Sequence, residues 1–287
     1  MVIQTLSIEV PTNGCVNKCK FCVSKTHCDS YVNRMNDNYF VSDLKRRLKY
    51  ALLHKIDTII LTGKGEVLQN IPYLTTLDTI LKGMDNPFPV IELQTSGVML
   101  SDGNLTFLRE MGVSTISLSI SNIFNDDRNM EIIGVHESLK FKLTDLCKKI
   151  KDFGFNIRLS LNMTNDYSST LPIEYFIQSS KLGASQITFR ELYNSKNGTK
   201  EDLWVIENKV SDEHMNFIKN FILTNGRPLY KLPFGATVYS FDGISTVIDS
   251  DCMNTKKDVN DEVLKYLILR EDNRLYTHWN DIGSLRF

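Results

Sequence analysis

Short runs of β-branched residues alternate with longer amphipathic segments through the first two thirds of the chain. The short runs have the pattern of strands, and the longer segments repeat apolar residues with the helical period of 3.6. The predicted strands are Thr5–Val10, Thr58–Thr62, Val90–Gln94, Thr115–Ser119, Asn156–Asn162 and Gln186–Leu192. The predicted helices are Val41–Lys55, Tyr73–Lys82, Asp102–Met111, Glu137–Phe153 and Ile173–Lys181.

Glycine marks the ends of these helices. Gly83, Gly112, Gly154 and Gly183 follow helical segments, at the position where a residue with positive φ commonly caps the last turn. Six strand–helix units with short connections predict a parallel sheet with right-handed crossovers. We therefore expect the α/β class and a partial (β/α)6 TIM-like barrel, with its chemistry at the C-terminal ends of the strands. An open doubly wound sheet is the alternative fold.

The pattern changes after about residue 195. A polar stretch leads to a predicted helix at Asp212–Leu223, and two hairpin patterns follow, which turn at Asp242-Gly243 and Asp272-Asn273. Asp-Gly is a strong signal for a type I′ turn. We predict a barrel domain over residues 1–195 and an α+β extension over residues 196–287 that covers the barrel mouth.

Charge and composition restrict the binding partners and the cellular compartment that we expect. The formal net charge is −1, so the chain lacks the basic excess typical of proteins that bind a nucleic-acid polymer. No apolar stretch is long enough to cross a bilayer, and the N-terminal residues lack the features of a signal peptide. We expect a cytoplasmic protein with no membrane partner. In a reducing compartment, three cysteines within eight residues predict a metal site.

These three cysteines, Cys15, Cys19 and Cys22, lie in a loop directly after the first predicted strand. Thiolates are ligands that suit iron–sulfur clusters and zinc. Three protein ligands leave a coordination position open for chemistry, whereas structural sites are closed by four. The alternative is structural zinc completed by His27 or Cys28, which would make the chain a non-catalytic, zinc-stabilised binding module.

The spacing of the cysteines, with Phe21 before the last one, resembles the signature of the radical S-adenosylmethionine (SAM) superfamily. The second strand ends in Gly65-Glu66, similar to the Gly-Gly-Glu-Pro motif with which the family binds the SAM amino group. Here Lys64 and Val67 replace the first glycine and the proline. The resemblance extends over roughly residues 5–192.

Polar residues at the ends of the next strands continue the resemblance. Thr95 lies in a turn similar to the family's Thr-Asn-Gly turn, and the fourth strand is similar to the one that contacts the SAM ribose and carboxylate. On the fifth strand, Arg158 and Asn162 share one face by the two-residue period, and a polar face is costly unless it lines a site. The SAM contacts that the resemblance implies are Phe21, Gly65, Glu66, Thr95, Ser119, Ser121, Asn122, Arg158 and Asn162.

Within the superfamily, the chain looks closest to the compact single-cluster branch that contains the GTP cyclase of molybdenum-cofactor synthesis and viperin. The sixth strand is similar to a strand of that branch that bears Arg and Glu. Arg190 and Glu191 are neighbours on this strand, so only one of them can face the barrel interior.

The resemblance implies a [4Fe–4S] cluster on the three cysteines and SAM on its open iron. One electron from a donor such as a reduced flavodoxin or ferredoxin would cleave SAM to methionine and a 5′-deoxyadenosyl radical, which abstracts a hydrogen atom from the substrate. We expect a small-molecule substrate such as a nucleotide, with its carboxylate or phosphate held by Arg158 or Arg190. A peptide substrate is the alternative. Cys252 is a candidate hydrogen donor to the substrate radical, or else an ordinary loop thiol.

Overall fold

The structure, a computed structural model, describes residues 2–26, 34–247, 263–279 and 281–287. In this part of the chain, eleven strands form one sheet in the order β11-β10-β1-β2-β3-β4-β5-β6-β9-β8-β7. The strands are β1 (Val2–Glu9), β2 (Thr58–Thr62), β3 (Val90–Thr95), β4 (Thr115–Ile120), β5 (Asn156–Asn162), β6 (Gln186–Arg190), β7 (Arg227–Lys231), β8 (Thr237–Phe241), β9 (Ile244–Val247), β10 (Val263–Leu269) and β11 (Leu275–Tyr276).

The central strands are parallel and follow one another in chain order. Strands β1 to β6 are neighbours in sequence, and β10 and β9 flank them in parallel pairing. A doubly wound sheet would reverse its strand order at a switch point. The sequential order and the unclosed, barrel-like sheet confirm the predicted α/β partial barrel, and all six predicted strands are present.

Helices pack on one face of the sheet and leave the other face lining the interior. They are α1 (Phe40–Leu53), α2 (Ile71–Lys82), α3 (Asp102–Glu110), α4 (Asp126–Ile133), α5 (Leu143–Asp152), α6 (Pro172–Lys181), α7 (Lys200–Asn208) and α8 (Asp212–Asn225). The helix-facing side of the strands is apolar and fully buried, as at Leu61, Leu93, Leu118 and Leu159. The interior-facing side is mostly polar, so the core lies between sheet and helices.

Two helical predictions need correction. The predicted helix Glu137–Phe153 is a short 3-10 turn at Glu137–Leu139 followed by α5, because Lys140 and Lys142 adopt extended backbone angles between them. Gly83 has φ of −71°, so the helix before it ends without the expected left-handed residue, whereas Gly112, Gly154 and Gly183 have positive φ as predicted.

The C-terminal residues contribute to both edges of the sheet. Strands β8 and β9 form the predicted hairpin, whose turn at Asp242-Gly243 has positive φ at both residues. Strands β10 and β11 form the second predicted hairpin, and β10 pairs with β1. The division of the chain into two domains at residue 195 stays a prediction. In the described residues, no helix combines the length and apolar character needed to cross a bilayer.

Pairing of β10 with β1 makes residues near the C-terminus part of the main core. Leu267 lies opposite Leu6 and is 1% exposed. We expect Leu267→Ala to lower the free energy of unfolding by about 2 to 5 kcal/mol through lost burial and a residual cavity. Urea unfolding followed by circular dichroism measures this, with Leu53→Ala as control because Leu53 is 81% exposed. A change no larger than that of the control would contradict the packing described here.

Candidate functional site

The three candidate cluster ligands lie in the loop that follows β1. Cys15 is exposed, and Cys19 and Cys22 are half-buried. Burial, and then the neighbouring thiols Cys22 and Cys15, raise the pKa of Cys19 to about 12. Ionisation of such a set requires a cation, because each thiolate opposes the next and metal ligation displaces thiol protons. The donor set therefore fits a metal cluster bound through three thiolates.

One side of this loop is fixed by a buried hydrogen-bond network. Asn17 Nδ2 donates to Ser96 Oγ at 2.7 Å, and Ser96 Oγ donates to Glu66 Oε2 at 2.6 Å. The Ser96 amide donates to the same Glu66 oxygen at 3.0 Å, and Thr95 Oγ1 donates to Glu66 Oε1 at 2.6 Å. Glu66 is 4% exposed. The network joins the loops that follow β1, β2 and β3.

The Gly65 backbone lies against the cysteine loop. A Cβ atom there would overlap the Gly14 carbonyl oxygen and the Thr12 hydroxyl, so only glycine fits. Beyond it, Gln69 Oε1 accepts hydrogen bonds from the Val16 amide at 2.9 Å and the Glu66 amide at 3.3 Å. The Gly65-Glu66 motif therefore forms a cradle against which the cysteine loop is held.

The other side of the cysteine loop lies against the end of α4. The Lys18 amide donates to the carbonyls of Ile133 and Gly134, and the Lys20 amide donates to that of Ile132. Gly134 has φ of +66°, and a Cβ on it would approach the Lys18 carbonyl oxygen to 2.6 Å. Ion pairs continue from Lys20 to Glu131, from Glu131 to Arg128 and from Arg128 to Asp166, at 2.7, 2.8 and 2.7 Å. This support was not predicted from the sequence.

Three of the predicted SAM-binding side chains lie together at the C-terminal ends of β4 and β5. Asn162 Nδ2 donates to Ser119 Oγ at 3.1 Å and to Ser121 Oγ at 3.3 Å. Ser121 and Asn162 are buried, and Ser119 is half-buried. These hydroxyl and amide groups form a polar layer that could bind the hydroxyl or carboxylate groups of a ligand.

Two other predicted SAM contacts have partners within the protein. Asn122 Oδ1 accepts hydrogen bonds from the Phe124 and Asn125 amides, each at 3.0 Å, as in an Asx turn. The ring of Phe21 packs against Trp204 of α7 at a centroid distance of 6.0 Å. Both residues adjoin the site while supporting the backbone that forms it.

The two interior arginines lie at different levels of the barrel. Arg158 Nη1 pairs with Glu92 Oε2 at 2.6 Å, and its Nε donates to Gln186 Oε1 at 2.7 Å. It precedes Asn162 by four residues on β5, which is about 13 Å at the rise of a parallel strand. The structure therefore does not bring Arg158 together with the Ser119, Ser121 and Asn162 layer. Arg190 pairs with Asn162 in register and lines the interior, whereas Glu191 is exposed.

Some candidates lie outside the described residues: Cys252, His27 and Cys28. The hydrogen-donor role of Cys252 and the two possible fourth zinc ligands therefore stay predictions.

Some of the residues that were not predicted from the sequence do have a local sequence signal, and others have none. Gln69 lies three residues after Glu66, and helix α4 begins at an Asn-Asp-Asp run and ends at Gly134, which are known boundary signals. Ser96 and Asn17 gave no such signal, because their roles depend on partners far away in the sequence.

Comparison with known proteins identifies the class. Residues 10–167, more than half of the chain, match the model of the family described as the radical SAM superfamily. The chain belongs to the radical SAM superfamily. It is therefore an enzyme of this class, and the zinc-stabilised binding module is set aside. The family uses a [4Fe–4S] cluster and SAM, which fits the three thiols and the cradle described above. No curated protein matches the sequence.

Solved structures with similar folds include several that bind SAM or peptides. Streptococcus suis SuiB bound to the precursor peptide SuiA has a TM-score of 0.53 and 16% identity, covering 78% of this chain and 47% of SuiB. Native anSMEcpe with bound AdoMet (SAM) and Cp18Cys peptide has a TM-score of 0.55 and 15% identity, covering 98% of this chain and 75% of anSMEcpe. Methylornithine synthase has a TM-score of 0.51 and 17% identity, covering 77% and 62%.

The chain thus spans about half the length of SuiB. At these identities the likeness establishes the fold alone. The predicted resemblance to the GTP cyclase and viperin branch is not shown by these comparisons and stays a prediction.

The close approach of Gly65 to the cysteine loop gives a direct test. We expect Gly65→Ala to displace the loop and to reduce the iron and sulfide bound per chain after anaerobic reconstitution by more than half, which chemical analysis measures. Gly103→Ala is the matched control, because a Cβ at Gly103 meets nothing within 4 Å. Equal iron content in both variants would contradict the cradle.

A buried carboxyl group lies at the end of β1, just before the cysteine loop. Burial raises the pKa of Glu9 from 4.5 to about 7, with Glu271 raising it further and Lys64 and Arg270 opposing the rise. Because the folded state holds this proton more tightly than the unfolded chain, the stabilisation is complete below pH 4.5 and is lost as the pH rises through about 7.

Glu9→Gln removes this titration. From pH 4.5 to 8, wild type should lose about 3 kcal/mol of unfolding free energy relative to the variant, because the pKa of Glu9 is raised from 4.5 to about 7 in the folded state. Urea unfolding of the apoprotein at a series of pH values measures the difference. Glu110→Gln, at an exposed carboxyl, should follow wild type. Parallel pH profiles for wild type and Glu9→Gln would show that Glu9 titrates normally.

Proposed function

We propose that this enzyme reductively cleaves SAM and abstracts a hydrogen atom from a small polar molecule bound inside the barrel. The observation that supports this most is that the cysteine loop and the Gly65-Glu66 cradle lie at the same strand ends as the polar layer of Ser119, Ser121 and Asn162. Typical barrels of this kind are filled with branched apolar side chains. A polar layer at the same strand ends as a cluster-binding loop is suited to binding a polar reactant.

The protein would supply the ligands and the surroundings of the cofactors. Cys15, Cys19 and Cys22 would hold three irons of the [4Fe–4S] cluster and leave the fourth accessible. When both cofactors are bound, they supply a one-electron reduction that releases methionine and a 5′-deoxyadenosyl radical, which takes a hydrogen atom from the substrate. The electron would come from a one-electron donor such as a reduced flavodoxin or ferredoxin, in the cytoplasm.

The SAM molecule would lie across the ends of β2 to β5. Gly65, Glu66 and Thr95 would bind its methionine end; the Glu66 carboxylate already accepts three hydrogen bonds and has room for one more. Ser119 and Ser121, oriented by Asn162, would bind the ribose or carboxylate. Phe21 would border the adenine region, and Asn122 would support the loop after β4.

Of the two interior arginines, Arg190 is the better candidate for binding the substrate near the radical. It is level with Asn162, whereas Arg158 is engaged by Glu92 and Gln186. A nucleotide remains the proposed substrate class. Residues 196–287, which we propose as an extension at the barrel mouth, would then complete the substrate site, and Cys252 would be a hydrogen donor within it.

A peptide substrate is the second candidate. It is favoured by the fold likeness to SuiB bound to SuiA and to anSMEcpe bound to Cp18Cys peptide, the latter extending over 98% of this chain. Hydrogen transfer distinguishes the two candidates. Deuterium from a labelled nucleotide entering 5′-deoxyadenosine supports the small-molecule proposal, and deuterium from a labelled peptide supports the alternative.

The cysteines provide the test of the central reaction. We expect Cys15→Ala, Cys19→Ala and Cys22→Ala each to reduce reductive SAM cleavage at least a hundredfold, because each removes one cluster ligand. Formation of 5′-deoxyadenosine after anaerobic reconstitution with dithionite measures this. Cys147→Ala is the matched control, since Cys147 is a core thiol with 1% exposure. Cleavage by the three ligand variants at the control rate would overturn the proposal.

A further inference from the structure

A cavity of about 590 Å³ lies at the amino end of the barrel, opposite the cysteine loop. We call it the amino-end chamber; its lining includes the first residues of five strands, Val2, Thr58, Val90, Thr115 and Gln186. This end of a barrel usually contributes stability through packed apolar layers. Here it is hollow, and its volume is in the range of small-molecule pockets.

Charge in the amino-end chamber favours an anion. Among the residues that the structure describes, four cationic side chains line it, and two acidic ones: Lys55, Arg158, Arg190 and Lys265, against Asp57 and Glu92. Glu92 is 4% exposed and pairs with Arg158 at 2.6 Å, so this pair is internally neutral. Among the described lining residues, the cationic side chains outnumber the acidic ones by two. A cavity with such an excess concentrates anions.

The interior polar groups are arranged to receive a ligand. Glu92 and Gln186 fix the guanidinium of Arg158 from two sides and leave N–H groups of its fork for a further acceptor. Within the described residues, the buried Nε of Arg190 and Oε1 of Gln4 make no hydrogen bond. Buried polar atoms without partners are costly. A bound carboxylate or phosphate would satisfy the arginine donors.

The opposite wall of the chamber is apolar. Leu232, Pro233 and Phe234, in the connection between β7 and β8, line it together with Val238. Lys265 Nζ, on β10, lies 4.8 Å from the centroid of the Phe234 ring. Since β8 and β10 lie towards opposite edges of the sheet, this contact connects the two sides of the open sheet at the amino end. The wall suits an apolar or planar molecular body.

We propose that the amino-end chamber binds a small anion with an apolar or planar body, and that this is the non-reacting end of the substrate. The second statement depends on the proposed function. Arg190 lies at the level of Asn162 and also lines the chamber, so a ligand can extend from the chamber towards the SAM layer. From Gln186 to Arg190 the strand rises about 13 Å. Binding energy from a remote group can position the reacting carbon.

Binding to the reconstituted full-length chain, saturated with SAM and kept unreduced, tests the chamber. The probes are GMP for a phosphate and indole-3-acetate for a carboxylate, with guanosine and indole-3-ethanol as their neutral counterparts. By calorimetry, we expect at least one anion to bind with a dissociation constant below about 1 mM. This anion should bind at least tenfold more tightly than its neutral counterpart, because one charge-assisted hydrogen bond contributes about that much. Saturating SAM keeps the probes out of the SAM site.

Substitutions in the chamber test whether the anion binds there. Arg190→Met and Lys265→Met should each weaken the anion at least tenfold, while Lys49→Met, on the exposed side of α1, should leave it unchanged. Circular dichroism and iron content identify any variant that fails to fold. If one chamber variant fails to fold, anion binding by the other one is the test. The inference is overturned if neither anion binds, or if the folded chamber variants bind like Lys49→Met. Failure of the proposed function is distinct, because it appears as absence of SAM cleavage in wild type whatever the binding result.

Discussion

The Ser96 hydroxyl is the single group on which the geometry of the cysteine loop depends most. It accepts a hydrogen bond from Asn17 and donates its one hydroxyl proton to Glu66, so it joins the loops that follow β1, β2 and β3. Because the Glu66 carboxylate is buried, these bonds are stronger than they would be in water, and loss of one partner would leave a buried charge unsatisfied. Contacts within the protein thus hold the loop after β1 in place.

Helix α4 supports the opposite side of the same loop through a different kind of interaction. The backbone bonds from Lys18 and Lys20 hold the loop against the helix end, and the chain of ion pairs from Lys20 to Asp166 connects that end to the loop after β5. Single exposed ion pairs contribute little to stability. Here they form a network, which fixes the orientation of the helix end relative to the loop. Two independent supports therefore limit the movement of the segment between Cys15 and Cys22.

The sequence was sufficient for the central strands and for one hairpin turn, which depend on local patterns. The short β-branched runs predicted all six central strands, and the Asp242-Gly243 pair predicted the hairpin turn. It was insufficient where a partner is remote in the chain. No local pattern indicates that β10 pairs with β1, or that Ser96 connects Asn17 with Glu66. Helix α4 was missed for another reason: it is short, and its signals are at its ends rather than in an apolar stripe.

Arg158 illustrates the limit of the alternation argument. The two-residue period predicted that it shares a face with Asn162. Alternation does not give the depth of a residue along the barrel or its partner on the neighbouring strand. The structure adds Glu92 and Gln186, which hold Arg158 about 13 Å from the polar layer around Asn162. The polar face of β5 therefore serves two separate levels, one beside the predicted SAM layer and one in the amino-end chamber. The side-chain contacts of Arg158 are to Glu92 and Gln186, and none is to Ser119, Ser121 or Asn162 among the described residues, so substitution of Arg158 should change the chamber while leaving the upper layer in place.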